Sequence, residues 1–150
     1  MKSFLLDPSN KPVIKWGLLK DGIHFEGCLP NGYSRAVAPS GNIVILDIDK
    51  KRNKDGFNYI PIHILEELLN TFNYNTKSGG SHCFINYTGS KMLLNRATEY
   101  GLDLRIAARN GNCGGYVKYY YSKDIRECEH LIKDSSLELN EFLESLFSYE

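Results

Sequence analysis

Two carboxylates stand at the end of the most apolar run in the chain, where residues 43–46 are followed by Asp47, Ile48 and Asp49. The run is typical of a strand buried on both faces, and alternation puts both acids on one face, about 7 Å apart. Such a pair repels unless a cation or donor lies between, and Mg²⁺ or Mn²⁺ prefers oxygen ligands. The motif indicates a metal site. Alternatively, Asp49 merely ends the strand and Asp47 meets a base of residues 50–52.

A glycine turn further along the chain combines groups that suit phosphate. Gly79 and Gly80 allow close approach of the backbone and can present amide hydrogens to an anion. Lys77 adds a positive charge and Ser78 adds a hydroxyl donor, and His82 begins the next predicted strand and points at the same pocket. A Ser-Gly-Gly turn can equally be no more than a tight turn.

A third polar pair lies on the strand predicted over residues 102–106. Asp103 and Arg105 share one face of it, while Leu102, Leu104 and Ile106 take the other. A surface ion pair on an ordinary strand would have the same pattern. The basic loop 50–56 is either solvated or in contact with phosphate, and it follows the first acid pair directly.

The elements that must position these groups follow from turn residues, caps and periodicity. We predict a hairpin over residues 13–25 with its turn at Asp21-Gly22 and Trp16 packed in it, and further strands over 35–38, 83–87 and 116–121, the last with tyrosines that pack rather than stack on bases. We predict a helix from Pro61 onward with His63 exposed, and a helix over 91–100 that is capped by Ser90, closed by Gly101 and followed by a glycine-rich loop over 109–115. A last helix is predicted over 136–148, with Ser135 and Glu138 at capping-box spacing and its apolar face on the sheet.

Length and composition predict one ordinary globular domain. The chain has 150 residues, of which 42% are hydrophobic and 24% charged. The apolar part of residues 1–8 is too short for a signal peptide, and no run is long enough for a membrane span. Cys28, Cys83, Cys113 and Cys128 lack C-x-x-C spacing, so we expect neither a zinc knuckle nor a disulfide framework, but a reducing cytoplasm.

The net charge of zero conceals an uneven distribution. Residues 129–150 carry six acids and one base, which leaves 17 bases and 12 acids over residues 1–128. A mildly basic body with an acidic tail is compatible with a polyanionic partner.

The order of the motifs resembles the primase–polymerase (Prim-Pol) domain of the archaeo-eukaryotic primase superfamily. The motifs are Asp47-x-Asp49, Ser78-Gly79-Gly80-x-His82, Asp103-x-Arg105 and Gly114-Gly115-Tyr116-Val117. The resemblance covers about residues 35–121, and Thr76 before the glycine turn also fits it. The proline-rich continuation usual after the last glycine pair is missing.

The resemblance implies an α+β fold with an RRM-like catalytic core, in which a mixed or antiparallel sheet is flanked by helices. It implies that Asp47, Asp49 and Asp103 are catalytic and hold two divalent ions, Mg²⁺ or Mn²⁺. The nucleotide, an NTP or dNTP, would be bound by Lys77, Ser78, Gly79, Gly80, His82 and Arg105.

The implied activity is template-directed nucleotidyl transfer in DNA replication by a DNA primase or polymerase, with nucleotides and single-stranded or primed DNA as partners. Family members are usually longer and often carry a helicase, so we expect a helicase or another replisome protein as a further partner. A small phage or plasmid protein in the host cytoplasm would fit.

Two other functions stay open. The chain could be a reduced Prim-Pol core that only binds nucleotide or DNA within a replisome. It could also be a metal-dependent replication endonuclease, although His24, His63, His82 and His130 are too scattered for the paired-histidine motif of that class.

Overall fold

The structure, a computed structural model that describes residues 1–108 and 114–148, is an α+β arrangement rich in short strands. Within these residues, short 3-10 segments occur at Trp16–Leu18, Gly56–Tyr59 and Glu129–Leu131. The strands and helices are β1 Lys2–Leu6, β2 Gly22–Ile23, β3 Ser34–Ala38, β4 Ile43–Ile48, β5 Lys50–Lys51, β6 Lys54–Asp55, α1 Ile62–Asn70, β7 Asn73–Asn75, β8 Ser81–Asn86, β9 Arg96–Ala97, β10 Leu102–Arg105, β11 Val117–Tyr119, α2 Ile125–Cys128, β12 Lys133–Asp134 and α3 Leu137–Phe147.

These strands form two larger sheets and one small one. The central sheet has the order β12-β8-β4-β10-β9, with β7 also paired to β8. The second sheet has the order β11-β3-β1-β2, and β5 and β6 form a two-stranded hairpin. Antiparallel pairs dominate, but β1–β2 and β8–β12 are parallel, so both larger sheets are mixed. The predicted α+β class with mixed or antiparallel sheets is confirmed.

Strand β4 is buried on both faces, as its sequence predicts. Val44, Leu46 and Ile48 face one hydrophobic cluster, to which the helices α1 and α3 contribute. Ile45 faces a second cluster, which the second sheet closes with residues such as Val117. The molecule therefore has three layers, with helices on one side of the central sheet and the second sheet on the other.

The two longer helices are where periodicity predicts them. Pro61 lies at the N-cap of α1, and His63 is exposed. The apolar face of α3 packs on the central sheet, as expected, through Leu139, Leu143 and Phe147. Its N-cap, however, is Ser136, whose side chain accepts the Leu139 amide, so the predicted capping box at Ser135 is one residue early.

The predicted hairpin over residues 13–25 is wrong. Trp16 lies in a 3-10 turn, and its ring stacks on Phe4 at 5.7 Å between ring centroids. Gly22–Ile23 pairs in parallel with β1 instead of folding back on the preceding residues. The reason is that β1, with Phe4 and Leu6 almost fully buried, offers a better apolar partner than the largely exposed residues 13–14.

The predicted helix over residues 91–100 is also wrong. The segment runs extended along its neighbours, because β9 pairs with β10 and Leu93 bridges to Ser148. Pairing and the burial of Leu93 outweigh local helix propensity. The predicted loop 109–115 lies partly outside the described residues. None of the described helices is long and apolar enough to cross a membrane.

The packing of α3 is tested by Leu143→Ala. Leu143 is fully buried, so we expect the free energy of unfolding to fall by about 2–5 kcal/mol. Leu137→Ala on the same helix is the control, because Leu137 is 69% exposed. Urea denaturation measures both, and similar small losses would contradict this packing.

Candidate functional site

The face of the central sheet that meets the second sheet changes from apolar to polar towards one end. On β4, Ile45 belongs to the core between the sheets, and Asp47 follows on the same face. In the strand register Asp47 lies opposite His82 of β8 on one side and opposite Asp103 of β10 on the other. Three neighbouring strands thus present ionisable side chains side by side, although these residues are far apart in the chain.

Asp49 lies just beyond the end of β4, where its backbone is held on both sides. Its amide donates to the Gly101 carbonyl and its own carbonyl accepts the Gly56 amide, each at 2.8 Å. A Cβ on Gly56 would lie 2.4 Å from the Gly101 carbonyl oxygen, so only glycine allows this close approach. Asp49 is therefore held where three segments of the chain meet in close backbone contact.

A cleft of about 310 Å³ opens at this polar end. One wall comes from the central sheet and the glycine turn, and the other from β11 at the edge of the second sheet. Its lining residues are Asp47, Asp49, Lys51, Thr76, Ser78, His82, Arg105, Tyr116, Val117, Lys118 and Tyr120.

His82 is buried and held from two sides. Its Nε2 lies 3.3 Å from Oδ1 of Asp47, and its Nδ1 lies 2.8 Å from the Tyr74 hydroxyl. When that hydroxyl donates to Nδ1, the ring proton sits on Nε2 and faces the Asp47 carboxylate, so this tautomer satisfies both contacts. Burial raises the pKa of Tyr74 far above its usual range, which keeps the phenol protonated. The Tyr74 ring thus orients His82 towards the carboxylates.

Asp103 lies in an environment that disfavours its charged form. Burial raises its pKa, and the neighbouring Asp49 and Asp47 raise it further, while Arg105 acts in the opposite direction. The Arg105 guanidinium is 3.5 Å from the Asp103 carboxylate, a long contact that does not outweigh the effect of burial on this pKa. A cation beside these acids would therefore be stabilised.

The glycine turn packs against the end of β4. The Gly79 amide donates to the Thr76 carbonyl, so it is used within the turn. A Cβ on Gly80 would lie 2.1 Å from the Ile48 carbonyl oxygen, so this glycine lets the turn pack on the end of β4. The turn in this way places Ser78 on the cleft.

The structure brings together most of the predicted site residues. Asp47, Asp49, Ser78, His82 and Arg105 line one cleft, and Asp103 adjoins it as the partner of Asp47. By contrast, Lys77 is exposed and lies outside the cleft lining.

Strand β11 contributes cleft residues that sequence reasoning assigned to packing or passed over. Tyr116, Lys118 and Tyr120 alternate with the buried Val117 and Tyr119, so one face of the segment is polar and aromatic. The Tyr120 ring lies 6.1 Å from the His82 ring and remains 40% exposed. Period-two alternation was the signal that could have found this face.

The donor chemistry of the cleft fits a divalent cation, because Asp47, Asp49 and Asp103 supply only oxygen ligands and repel one another. Within residues 1–108 and 114–148, however, no three Asp, Glu, His or Cys side chains converge as a ready-made metal site. Asp47 is turned to His82 and Asp103 to Arg105, so sharing an ion requires rotation of these side chains.

No family model matches this chain, and no curated protein matches it as a relative. The resemblance to Prim-Pol domains therefore stays a prediction that depends on the motif order and on the geometry of the cleft.

Removing the Tyr74 hydroxyl should release His82. We expect Tyr74→Phe to lower the free energy of unfolding by about 1–3 kcal/mol, because a buried imidazole nitrogen loses its partner. The ¹⁵N chemical shifts of the His82 ring should change as well. Tyr121→Phe is the control within the same aromatic group, and unchanged His82 shifts in Tyr74→Phe would refute the orienting role.

Neutralising Asp103 should stabilise the fold. Because like charges opposite each other on paired strands destabilise, Asp103→Asn should raise the free energy of unfolding at pH 7 by roughly 0.2–1 kcal/mol. The folded state binds the Asp103 proton more tightly than the unfolded state, so wild-type stability falls as pH rises from the ordinary pKa of 3.8 through the raised pKa. The gain should thus vanish in acid. Denaturation at several pH values measures it, and a loss of stability at pH 7 would contradict the repulsion.

Proposed function

We propose that this chain is a metal-dependent nucleotidyltransferase of the Prim-Pol kind, which acts on nucleotides and single-stranded or primed DNA. One observation carries the proposal. Three acids, a histidine and an arginine from separate motifs meet at one polar end of the sheet, beside a cleft. On this proposal the central sheet with its helices is the RRM-like catalytic core, and the chain works in the cytoplasm.

The protein's own groups suit the recognition of a triphosphate. Arg105, Lys51 and Lys118 place three positive charges around the cleft, and the Ser78 hydroxyl adds a donor. His82 Nε2 can donate a hydrogen bond when the Tyr74 hydroxyl donates to Nδ1. The exposed Tyr120 ring offers a surface on which a base can stack.

The three carboxylates would hold Mg²⁺ or Mn²⁺, which when bound supplies activation of a 3′-hydroxyl and stabilises the pyrophosphate leaving group. To hold such an ion, the Asp47 and Asp103 carboxylates would have to turn away from His82 and Arg105. His82 and Arg105 would then be able to contact the phosphates of the nucleotide.

A second candidate is a reduced core that binds nucleotide or DNA without synthesis. It is favoured by the absence of a convergent three-ligand group among the described residues. It is also favoured by the contact between Asp47 and His82, which occupies one oxygen of that carboxylate. Product formation separates the two candidates.

Asp49→Asn tests the proposal. We expect loss of Mn²⁺ binding by calorimetry and a drop of about a hundredfold or more in synthesis, since metal ligation supplies several kcal/mol of transition-state stabilisation. Labelled nucleotides and single-stranded template, with and without a primer, provide the assay. The fold should persist, because Asp49 is held through its backbone.

Glu141→Gln on the exposed side of α3 is the matched control and should retain full activity. Unchanged Mn²⁺ binding in Asp49→Asn would mean that the metal site is wrongly placed. Wild-type binding of nucleotide without any product, primed or unprimed, would support the second candidate instead.

A further inference from the structure

A basic hairpin follows the carboxylates directly. Residues 50–55, which form β5, its turn and β6, include four bases and one acid. Lys51, Arg52 and Lys54 are exposed and line a groove of about 310 Å³. Among the residues that the structure describes, no acid forms an ion pair with them. Their charges are therefore available to a polyanion.

Two tyrosines line the same groove. Tyr59 comes from the 3-10 turn after β6 and Tyr100 from the segment before β10, and their ring centroids are 4.8 Å apart. They are 54% and 38% exposed, respectively. Aromatic rings that remain in water beside positive charges suit the stacking of unpaired bases, whose backbone those charges can follow.

The groove adjoins the carboxylate cleft. Lys51 lines both, so the two cavities share a wall. The junction of Asp49 with Gly56 and Gly101 ties the hairpin and the Tyr100 segment to the end of β4. Both parts of the groove are thus fixed relative to Asp49.

Two acids at the groove limit its positive charge. Asp55 and Glu99 also line it, although the Asp55 carboxylate accepts the Phe57 amide at 3.0 Å and so caps the 3-10 turn. With three bases against two acids, charge alone would hold an acidic peptide weakly. The exposed ring pair adds a contact that bases use and acidic side chains do not, so the groove favours a nucleic acid.

We propose that this groove binds single-stranded nucleic acid, with bases stacked on Tyr59 and Tyr100 and phosphates on Lys51, Arg52 and Lys54. A nucleic-acid strand bound there leads past Lys51 into the carboxylate cleft. Delivery to the cleft rests on the proposed function, whereas binding of the strand does not.

Fluorescence anisotropy tests this proposal by measuring how tightly the full chain binds a fluorescein-labelled oligodeoxythymidine. About twelve nucleotides is a length suited to a small single-strand site. The double variant Tyr59→Ala/Tyr100→Ala should bind about tenfold more weakly or worse. Tyr59→Phe/Tyr100→Phe retains both rings and should bind like the wild type. Leu131→Ala, at another exposed apolar side chain, should have no effect.

Charge is tested separately by salt titration. Arg52→Gln/Lys54→Gln should reduce the slope of log affinity against log salt by about 1.4, because each phosphate contact on a single strand contributes about 0.7. Lys15→Gln/Lys20→Gln changes the net charge equally at exposed positions outside the groove and should leave the slope unchanged.

Equal affinity of the wild type and the tyrosine-to-alanine variant would overturn the proposal. Displacement of the oligonucleotide by polyglutamate at equal charge concentration would also overturn it, in favour of an acidic-peptide site. Asp49→Asn should still bind the strand, so loss of synthesis with binding intact separates the two functions. A wild type that binds through the tyrosines but makes no product would refute the proposed activity and support the groove.

Discussion

The burial of β4 on both faces is the constraint on which the rest of the structure depends. A strand covered by helices on one side and by a second sheet on the other needs apolar residues at successive positions, and Val44 and Ile45 supply them to opposite layers. Once this strand is central, alternation places Asp47 on the face between the sheets. The site exists because the apolar filling of that face ends there and charged residues follow.

Acids on neighbouring strands need partners that offset their repulsion. The protein provides one partner for Asp47 on β4 and another for Asp103 on β10. His82, oriented by Tyr74, lies against Asp47, while Arg105 lies at longer distance from Asp103. These contacts make the fold tolerable without a cation but leave Asp103 with a raised pKa. Acids that still repel one another in the folded protein are suited to binding a cation reversibly.

The functional surfaces lie where layers end. The carboxylate cleft opens between the central sheet and the edge strand β11, and the basic groove lies beside it on the β5–β6 hairpin. Both surfaces draw on loops that are pinned by glycines at close backbone contacts, such as Gly80 on Ile48. Rigid placement of loops by such contacts is how a small domain can position polar groups at the edge of a dry core.

Local pattern in the sequence determined β4, β8, β10, α1 and α3, and it determined that Asp47 and Asp49, like Asp103 and Arg105, are spaced to share a face. Alternation and helical periodicity are properties of neighbouring residues, so these predictions needed no knowledge of the fold. The order of motifs also suggested that the acids would meet. It did not show that Asp103 lies opposite Asp47.

Only the tertiary structure decided the pairing of strands and what lies across the cleft. Residues 13–25 and 91–100 carry hairpin and helix signals, yet each segment pairs through a short strand with β1 or β10. Pairing with a buried strand outweighs weak local propensity. The same long-range packing buried Tyr74 behind His82 and brought Tyr120 to the rim of the cleft. Packing over the whole chain decides which residues become neighbours in this way, and a short stretch of sequence carries no information about it.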